Sequence, residues 1–228
     1  MRTPVVRWHV LADTATLVRE VAALILALAD AAIAGHGEFR IVLAGGTTPG
    51  AVYERLGNAA AHWSGWRIFF GDERCLPPGH PQRNSVMAAR RWLDRVPVPR
   101  DHIHVIPAEL GPEAAALAYA ETVGRALPFD LVLLGMGEDG HTASLFPGHV
   151  HRSGELVHPV SGAPKPPAER VSLGPAALNT AAKVIILVSG HRKRHAIEQW
   201  KNGVPLPVAS LHPGAGVDVY LDTAAAGQ

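Results

Sequence analysis

Short apolar segments alternate with amphipathic segments along most of the chain, and this alternation limits the fold more than any other feature of the sequence. The clearest apolar runs are Phe39–Leu43, Trp66–Phe70 and Phe129–Leu134. Strands this short and this uniformly apolar are typical of a parallel sheet that is covered on both faces. We therefore predict an α/β fold, with an open, mostly parallel, doubly wound sheet and helices on both faces.

Capping residues and hydrophobic periodicity place the helices and the remaining strands. The predicted helices are a long one that follows the N-cap Asp13 and runs to about Ala34, one that has Thr48 as N-cap and runs from Pro49 through Leu56, one near Ser85–Leu93, one from Pro112 to about Ala126, one that starts at Pro175, and one over His191–Lys201. The remaining predicted strands are His102–Ile106, Leu156–Val160, Arg170–Leu173, Lys183–Val188 and Val217–Leu221. In a sheet built this way, ligands bind beyond the carboxyl ends of the strands.

The chain has the length of one large domain. Its 228 residues contain no internal repeat, no low-complexity tail and no obvious linker. The stretch from Gly148 to Pro167 is rich in proline and glycine, which is typical of a loop. We predict a single α/β domain over residues 1–228, with a small surface excursion near residues 148–168.

The balance of charges argues against a nucleic-acid partner. There are 21 basic and 20 acidic residues, and no aromatic residues interleave with the short basic cluster Arg192–Arg194, which favours a local anion site instead. The longest apolar stretch, Val21–Leu28, is far shorter than the ~20 residues of a membrane span. Trp8-His9 stands where a signal peptide would have its apolar core. We expect no nucleic acid, no membrane and a cytoplasmic location.

The sequence offers little for a metal site or for a covalent mechanism. The single cysteine, Cys75, cannot form an internal disulfide or a thiolate cage. The histidine pairs His102/His104 and His149/His151 lie in Pro- or Gly-flanked sequence without a carboxylate to support a third ligand. No Gly-x-Ser-x-Gly elbow is present. We therefore predict no metal ion.

Two polar segments directly follow the first two of these strands. In Gly45-Gly46-Thr47 the glycines let the backbone approach a ligand, and the N–H groups of the next helix can hold a phosphate. A tight turn with a helix cap is the alternative interpretation. In Asp72-Glu73-Arg74 an acid beside an arginine can hold a substrate and stabilise developing negative charge. An ordinary charged turn is the alternative there.

The strongest candidate for chemistry follows the strand Phe129–Leu134. In Gly-Glu-Asp-Gly-His, Asp139 stands two residues before His141 and can orient the imidazole and stabilise its charged form, as a general base requires. A histidine in a glycine-rich loop is otherwise often only exposed to solvent. Arg170, which begins a strand, and Lys193, near a helix N-terminus, can neutralise a phosphate dianion.

Taken together, these segments closely resemble the glucosamine-6-phosphate isomerase/6-phosphogluconolactonase family, and its lactonases in particular. The most specific pieces are GDERCLPPGHPQRNS at 71–85 and LLGMGEDGHTASLFPG at 133–148, supported by LAGGTTP, RVSLGPAALN and VSGHRK. The resemblance runs from about Asp13 to Asp222. It implies an open α/β fold shared with glucosamine-6-phosphate deaminase and of the ribose-5-phosphate isomerase-like type. It also implies hydrolysis of 6-phospho-D-glucono-1,5-lactone to 6-phospho-D-gluconate, in the oxidative pentose phosphate pathway, without a cofactor.

The same resemblance suggests a role for each candidate residue. The expected partner is a small sugar-phosphate lactone, and the expected assembly is a monomer or a weak homodimer. His141, oriented by Asp139, would take a proton from water, while Arg74 stabilises the oxyanion and Asp72 positions Arg74 or a sugar hydroxyl. The phosphate would be held by Gly45, Gly46 and Thr47, with charge from Arg170 and Lys193.

Two alternative functions come from other classes. The related deaminases carry Asn-Glu-Pro a few residues after the histidine, whereas here Ala143–Pro147 brings no carboxylate, which favours lactone hydrolysis. A non-catalytic sugar-phosphate-sensing domain would come with a DNA-binding segment, and the residues before Asp13 are too few for a helix-turn-helix. The Pro-rich segment Ala163–Ala168 is interpreted as individual to this protein.

Overall fold

The computed structural model describes residues 5–152 and 154–228, and nine strands in this part of the chain form two sheets. The strands are β1 (Val6–Leu11), β2 (Phe39–Leu43), β3 (Trp66–Phe70), β4 (Asp72–Arg74), β5 (Leu131–Gly135), β6 (Val157–Val160), β7 (Arg170–Leu173), β8 (Lys183–Val188) and β9 (Val217–Asp222). The main sheet has the order β1-β9-β8-β5-β2-β3, and every neighbouring pair in it is parallel. The small sheet has the order β4-β7-β6 and is antiparallel.

The burial of the central strands explains why the main sheet is parallel. Residues Leu131–Leu134 of β5 are all buried, so apolar side chains point to both faces of the sheet and must be covered on both. Near the β2–β3 edge, the ring of Trp66 packs edge-on against Phe39 and Trp92, at centroid distances of 4.9 and 5.5 Å. The open, parallel α/β fold predicted from the sequence is confirmed.

Seven α-helices accompany the strands among the described residues. They are α1 (Thr14–His36), α2 (Thr47–Leu56), α3 (Asn84–Ala88), α4 (Pro112–Ala126), α5 (Pro175–Leu178), α6 (Arg194–Lys201) and α7 (Thr223–Ala226). The predicted N-cap of α1 is confirmed, because Oδ1 of Asp13 accepts a hydrogen bond of 2.7 Å from the backbone N of Thr16. The helix ends at Gly37, whose φ of +90° suits glycine.

The small sheet was not foreseen as a separate sheet. Gly71 alone separates β3 from β4, so the chain leaves one sheet and enters the other within a single residue. The predicted excursion near 148–168 contributes β6, one residue shorter than the strand Leu156–Val160 predicted there. The prediction of one domain over residues 1–228 stays a prediction.

Two predicted elements were wrong in part. The strand at His102–Ile106 is absent: a 3₁₀ turn covers Arg100–His102, and Ile103 forms a single parallel bridge to Ile68. Prolines at 99 and 107 bracket this segment, and proline has no N–H to donate to a ladder. The helix predicted near Ser85–Leu93 consists of α3 and a π-helical turn over Ala89–Leu93.

The start of α2 and the first strand also differ from expectation. The N-cap of α2 is Gly46 instead of Thr48, and Gly46 has a φ of +105°, which favours glycine. No strand was predicted at Val6–Leu11. Its apolar residues alternate with Arg7 and His9, because β1 is an edge strand and only partly buried.

None of the helices in the described part of the chain is long and apolar enough to cross a membrane. Within residues 5–152 and 154–228, no group of three or more His, Cys, Asp or Glu side chains is arranged to hold a metal ion. Cys75 is free and half-buried.

Candidate active site

A cleft of about 320 Å³ opens where the carboxyl ends of the parallel strands meet the small sheet. The main sheet reaches it through the segments that follow β2, β3, β5 and β8, and the small sheet reaches it through β4 and β7. The predicted site residues that line it are Gly45, Gly46, Asp72, Arg74, His141, Arg170 and Lys193. Segments separated by up to 148 residues of sequence (Gly45 to Lys193) therefore converge here, as expected for an open α/β sheet.

His141 lines the cleft, and Asp139 supports it from outside the lining. Oδ1 of Asp139 lies 2.5 Å from Nδ1 of His141, so Nε2 is the ring nitrogen left to take up a proton. Burial lowers the pKa of His141 below its usual value, although the charge of Asp139 opposes this. Burial would raise the pKa of Asp139, but the charge of His141 and hydrogen bonds from it hold that pKa low. The pair thus has the protonation states that a general base and its anionic partner need.

The loop that carries His141 is shaped by a close approach at Gly137. A Cβ at position 137 would lie 2.0 Å from Nδ1 of His141 and 2.4 Å from Oδ1 of Asp139. The backbone N of Gly137 also donates a 2.8 Å hydrogen bond to the carbonyl of His141. Only glycine at this position lets the loop fold back onto the His141–Asp139 pair.

Asp72 is a nearly buried carboxylate whose two oxygens are both engaged. Nδ2 of Asn84 donates to Oδ1 at 2.9 Å, and Oγ of Ser144 donates to Oδ2 at 2.6 Å. Nη1 of Arg170 lies 3.9 Å from Oδ2. A buried charge is tolerated only with partners of this kind, so Asp72 forms a fixed anionic point in the cleft wall.

Glu73, the middle residue of the predicted polar segment Asp72-Glu73-Arg74, is fully buried and structural. Its Oε1 accepts from the backbone N of Asn84 at 2.7 Å, and its Oε2 accepts from the backbone N and Oγ of Ser85 at 2.9 and 2.7 Å. It therefore caps the N-terminus of α3 and holds Asn84 in place to contact Asp72. Glu73 does not line the cleft.

Arg74 reaches the cleft from β4. Its Nη1 donates to the carbonyl of Gln82 at 2.5 Å. Its Nε is buried and, among the described residues, has no hydrogen-bond partner. An arginine held at one end with a donor unused is suited to a ligand oxygen.

The glycine segment after β2 contributes backbone, and Thr47 lies outside the cleft lining. A Cβ at Gly45 would fall 2.1 Å from Oδ1 of Asn84, so this glycine allows the segment to pack against the α3 cap. The side chain of Thr47 is exposed at the first turn of α2. Thr48, the next residue, shares a hydrogen bond of 2.6 Å with Ser189.

Arg170 and Lys193 both line the cleft, from opposite sheets. Burial lowers the pKa of Arg170. Burial also lowers the pKa of Lys193, although the charge of Glu138 opposes this shift. Arg170 also lies over the ring of Phe146, with Cζ 5.6 Å from the ring centroid. Both residues thus stand where the sequence predicted positive charge.

Two polar side chains of the lining, those of Asn84 and Lys165, were not predicted from the sequence. Asn84 hydrogen-bonds Asp72, and its only signal was its place within the motif at 71–85. Lys165 extends into the cleft from the Pro-rich segment Ala163–Ala168, which was interpreted as individual to this protein. No local pattern shows that this segment folds back over the site.

The arrangement combines a base with an excess of positive charge. The cationic side chains that line the cleft are Arg74, Lys165, Arg170 and Lys193, against the single carboxylate of Asp72. Such a cleft attracts a dianionic ligand, and His141 can remove a proton from water beside it.

Comparison with known proteins now identifies the family. A profile described as glucosamine-6-phosphate isomerases/6-phosphogluconolactonase matches residues 12–220. The chain belongs to this family. A family member from Nostoc sp., a 6-phosphogluconolactonase, is 37% identical over 200 residues, which cover 84% of this chain and 83% of that protein. A human 6-phosphogluconolactonase is 35% identical over 225 residues, covering 90% and 86% of the two chains. The family resemblance seen in the sequence is confirmed.

Solved structures of this family have the same fold. A 6-phosphogluconolactonase from Thermotoga maritima superposes with a TM-score of 0.89 at 28% identity, covering 96% of this chain and all of that one. A monomeric glucosamine-6-phosphate deaminase superposes with a TM-score of 0.85 at 19% identity, covering 97% of this chain and 99% of that one, and this match shows the fold alone.

Proposed function

We propose that this protein hydrolyses 6-phospho-D-glucono-1,5-lactone to 6-phospho-D-gluconate, the lactone-opening step of the oxidative pentose phosphate pathway. The observation that carries the proposal is that the His141–Asp139 pair shares one cleft with four cationic side chains. The relatives from Nostoc and human are both 6-phosphogluconolactonases, which supports the same reaction here.

His141 acts on water. Its Nε2 takes a proton as the water oxygen attacks C1 of the lactone, and Asp139 stabilises the imidazolium through Nδ1. The carbonyl becomes a tetrahedral oxyanion. When the C=O bond forms again, the bond from C1 to the ring oxygen breaks, and the imidazolium returns its proton to that oxygen. The new carboxylic acid then loses a proton to solvent.

Arg74 and Asp72 serve the reacting end of the substrate. Arg74, which lines the cleft, donates to the oxyanion through its guanidinium. Asp72, fixed by Asn84 and Ser144, positions this part of the cleft and accepts a sugar hydroxyl through its remaining lone pairs. No group beyond the chain's own residues is required for these steps.

The phosphate lies against the glycine segment. The first N–H groups of α2, beside Gly45, Gly46 and Thr47, have no partner within the helix and point toward an anion together with the helix dipole. Thr47 contributes its backbone here, because its side chain lies outside the cleft lining. Lys193 and the largely buried Arg170 add positive electrostatic potential to the same region.

A coupled assay tests the proposal. Freshly generated 6-phosphogluconolactone is supplied with a 6-phosphogluconate dehydrogenase, and glucosamine 6-phosphate is tested in parallel with ammonia as readout. We expect acceleration of lactone opening above the spontaneous rate and no ammonia, because Ala143–Pro147 brings no carboxylate to the site. Release of ammonia without acceleration of lactone opening would instead identify a deaminase-type isomerase. No reaction with either substrate would favour a sensing domain.

We place this activity in the cytoplasm and expect a monomer or a weak homodimer. The free, half-buried Cys75 is compatible with a reducing compartment. Fractionation of the native cell and analytical ultracentrifugation over a range of concentrations test the two statements separately.

A further inference from the structure

Lys165 comes to the cleft from a segment that belongs to neither sheet. It lies between β6 and β7, and its exposed side chain lines the cleft together with His141 and Lys193. Its charge adds to the effect of burial in lowering the pKa of both His141 and Lys193. Lys165 therefore shares the cleft with both the proposed base and the proposed phosphate-binding cation, and the reaction steps above leave it without a role.

Arg170 holds the backbone of this segment. Its Nε donates to the carbonyl of Pro167 at 3.1 Å, and its Nη2 donates to the carbonyls of Lys165 and Pro166 at 2.9 and 3.4 Å. The remaining nitrogen, Nη1, faces Oδ2 of Asp72 at 3.9 Å. Arg170 is only 5% exposed, and all its side-chain nitrogens face the protein's own carbonyls or the carboxylate of Asp72.

We infer that Lys165 binds the phosphate of the substrate together with Lys193, and that Arg170 is a positioning residue that acts through Lys165. This rests on the proposed function and deepens it, because it names the cation that selects a phosphorylated lactone over an unphosphorylated one.

The different roles of Lys165 and Arg170 follow from their surroundings. The charge of Arg170 is already balanced in part by Asp72, whereas no carboxylate in the described chain forms an ion pair with Lys165. A lysine on a free loop would lose much conformational entropy on binding a ligand. Three hydrogen bonds from Arg170 to residues 165–167 fix the backbone in advance and reduce that cost.

Steady-state kinetics on two lactones test the role of Lys165. Lys165→Gln should raise KM for 6-phosphogluconolactone about 10- to 100-fold, the range of a lost charged hydrogen bond. It should lower kcat/KM far less for unphosphorylated glucono-1,5-lactone, which has no phosphate contact to lose. Lys165→Arg should restore much of the loss. Lys201→Gln, at an exposed lysine outside the cleft, should stay within about twofold of wild type. An unchanged KM in Lys165→Gln, or an equal loss with both lactones, overturns the inference.

A double-mutant cycle tests the role of Arg170. Arg170→Lys keeps the charge but cannot reach three carbonyls, so it should raise KM as Lys165→Gln does. In the Lys165→Gln background it should change KM by no more than about twofold, because its effect passes through Lys165. If the effects of the two substitutions on KM multiply, Arg170 binds the phosphate itself. If Arg170→Lys leaves KM unchanged, its hydrogen bonds to residues 165–167 do not position Lys165. Either result overturns the role given to Arg170. Circular dichroism confirms that each variant is folded.

Calorimetry with 6-phosphogluconate separates this inference from the proposed function. If wild type binds 6-phosphogluconate in a Lys165-dependent way but does not accelerate hydrolysis, the proposed reaction fails and the phosphate site stands. If wild type hydrolyses the lactone and Lys165→Gln does so with the same KM, the reaction stands and the site is wrong.

Discussion

Oγ of Ser144 donates a hydrogen bond of 2.6 Å to Oδ2 of Asp72, and this contact joins the loop that carries His141 to the first strand of the small sheet. Ser144 follows His141 by three residues, so the bond fixes the distance between the proposed base and the proposed substrate-positioning carboxylate. The stretch that brings a carboxylate in the related deaminases therefore serves a structural purpose here.

Replacing Ser144 should disturb both stability and turnover. Ser144→Ala leaves a buried carboxylate oxygen short of one donor, which costs about 1–3 kcal/mol of unfolding free energy, and we expect kcat to fall about tenfold. Ser85→Ala is the matched control. Oγ of Ser85 donates a hydrogen bond of 2.7 Å to the buried Glu73, and neither residue lines the cleft. Urea denaturation of that variant should show a similar loss of stability with kcat almost unchanged. Equal kcat in both variants would contradict the role given to Ser144.

Removing the proposed base should abolish most of the catalysis. His141→Ala is expected to lower kcat by about 10²–10⁴ with little change in KM, because a general base acts in the transition state. His195→Ala, at an exposed histidine outside the cleft, should behave as wild type in the same coupled assay. Near-wild-type turnover of a folded His141→Ala protein would refute the assignment.

The acid limb of the pH–rate profile should lie below the ordinary pKa of histidine. Only neutral His141 accepts a proton, so kcat/KM falls as pH drops through its pKa, and burial lowers that pKa. The charge of Asp139 opposes the shift, so Asp139→Asn should move the acid limb to still lower pH while reducing kcat about 10²-fold or more through loss of orientation. An acid limb that moves upward in Asp139→Asn would contradict the pairing.

The close approach at Gly137 should make this position intolerant of any side chain. Gly137→Ala places a methyl group 2.0 Å from Nδ1 of His141, and a displaced base is expected to lower kcat about 10²-fold. Gly35→Ala is the control, because a methyl group there meets nothing within 4 Å inside α1. It should stabilise the protein by about 0.5–1 kcal/mol and leave kcat unchanged. Thermal unfolding and the coupled assay together decide the comparison.

Cys75 should be slow to alkylate although it is near the cleft. Burial, reinforced by the charge of Glu169, raises the pKa of its thiol to about 11, so very little thiolate exists at neutral pH. We expect reaction with iodoacetamide at neutral pH about 100-fold slower than for a small-molecule thiol, and accelerating as pH rises. Cys75→Ser should keep full activity. Rapid inactivation by iodoacetamide, traced to Cys75, would point to a covalent mechanism instead.

The sequence predicted those parts of the fold whose signal is local. Mostly apolar runs located β2, β3, β5 and β8, because strands covered on both faces need apolar side chains at most positions. The strand β1 was missed because it lies at the edge of the sheet and its partner β9 comes over 200 residues later in the chain. The structural role of Glu73 was missed for a similar reason. The backbone N–H groups that donate to it belong to Asn84 and Ser85, at a helix start that the residues around Glu73 do not reveal.

The candidate site shows the same difference between local sequence signals and long-range contacts. His141 and Asp139 are two residues apart, so their pairing was visible in the sequence. Lys165 lines the cleft from a segment whose backbone carbonyls accept hydrogen bonds from Arg170, and those contacts depend on the position of β7 in three dimensions. Residues that act through tertiary contacts of this kind leave no periodic or motif signal.

The single residue Gly71 between β3 and β4 has a consequence for how a protein of this design can change. The main sheet carries the proposed base and Lys193, whereas the loop between β6 and β7 of the small sheet carries Lys165. Under the proposed roles, exchange of this loop changes a cation that contacts the substrate phosphate without replacing His141, Asp139 or Arg74. A library confined to residues 161–169 is therefore the natural place to look for activity toward other lactones.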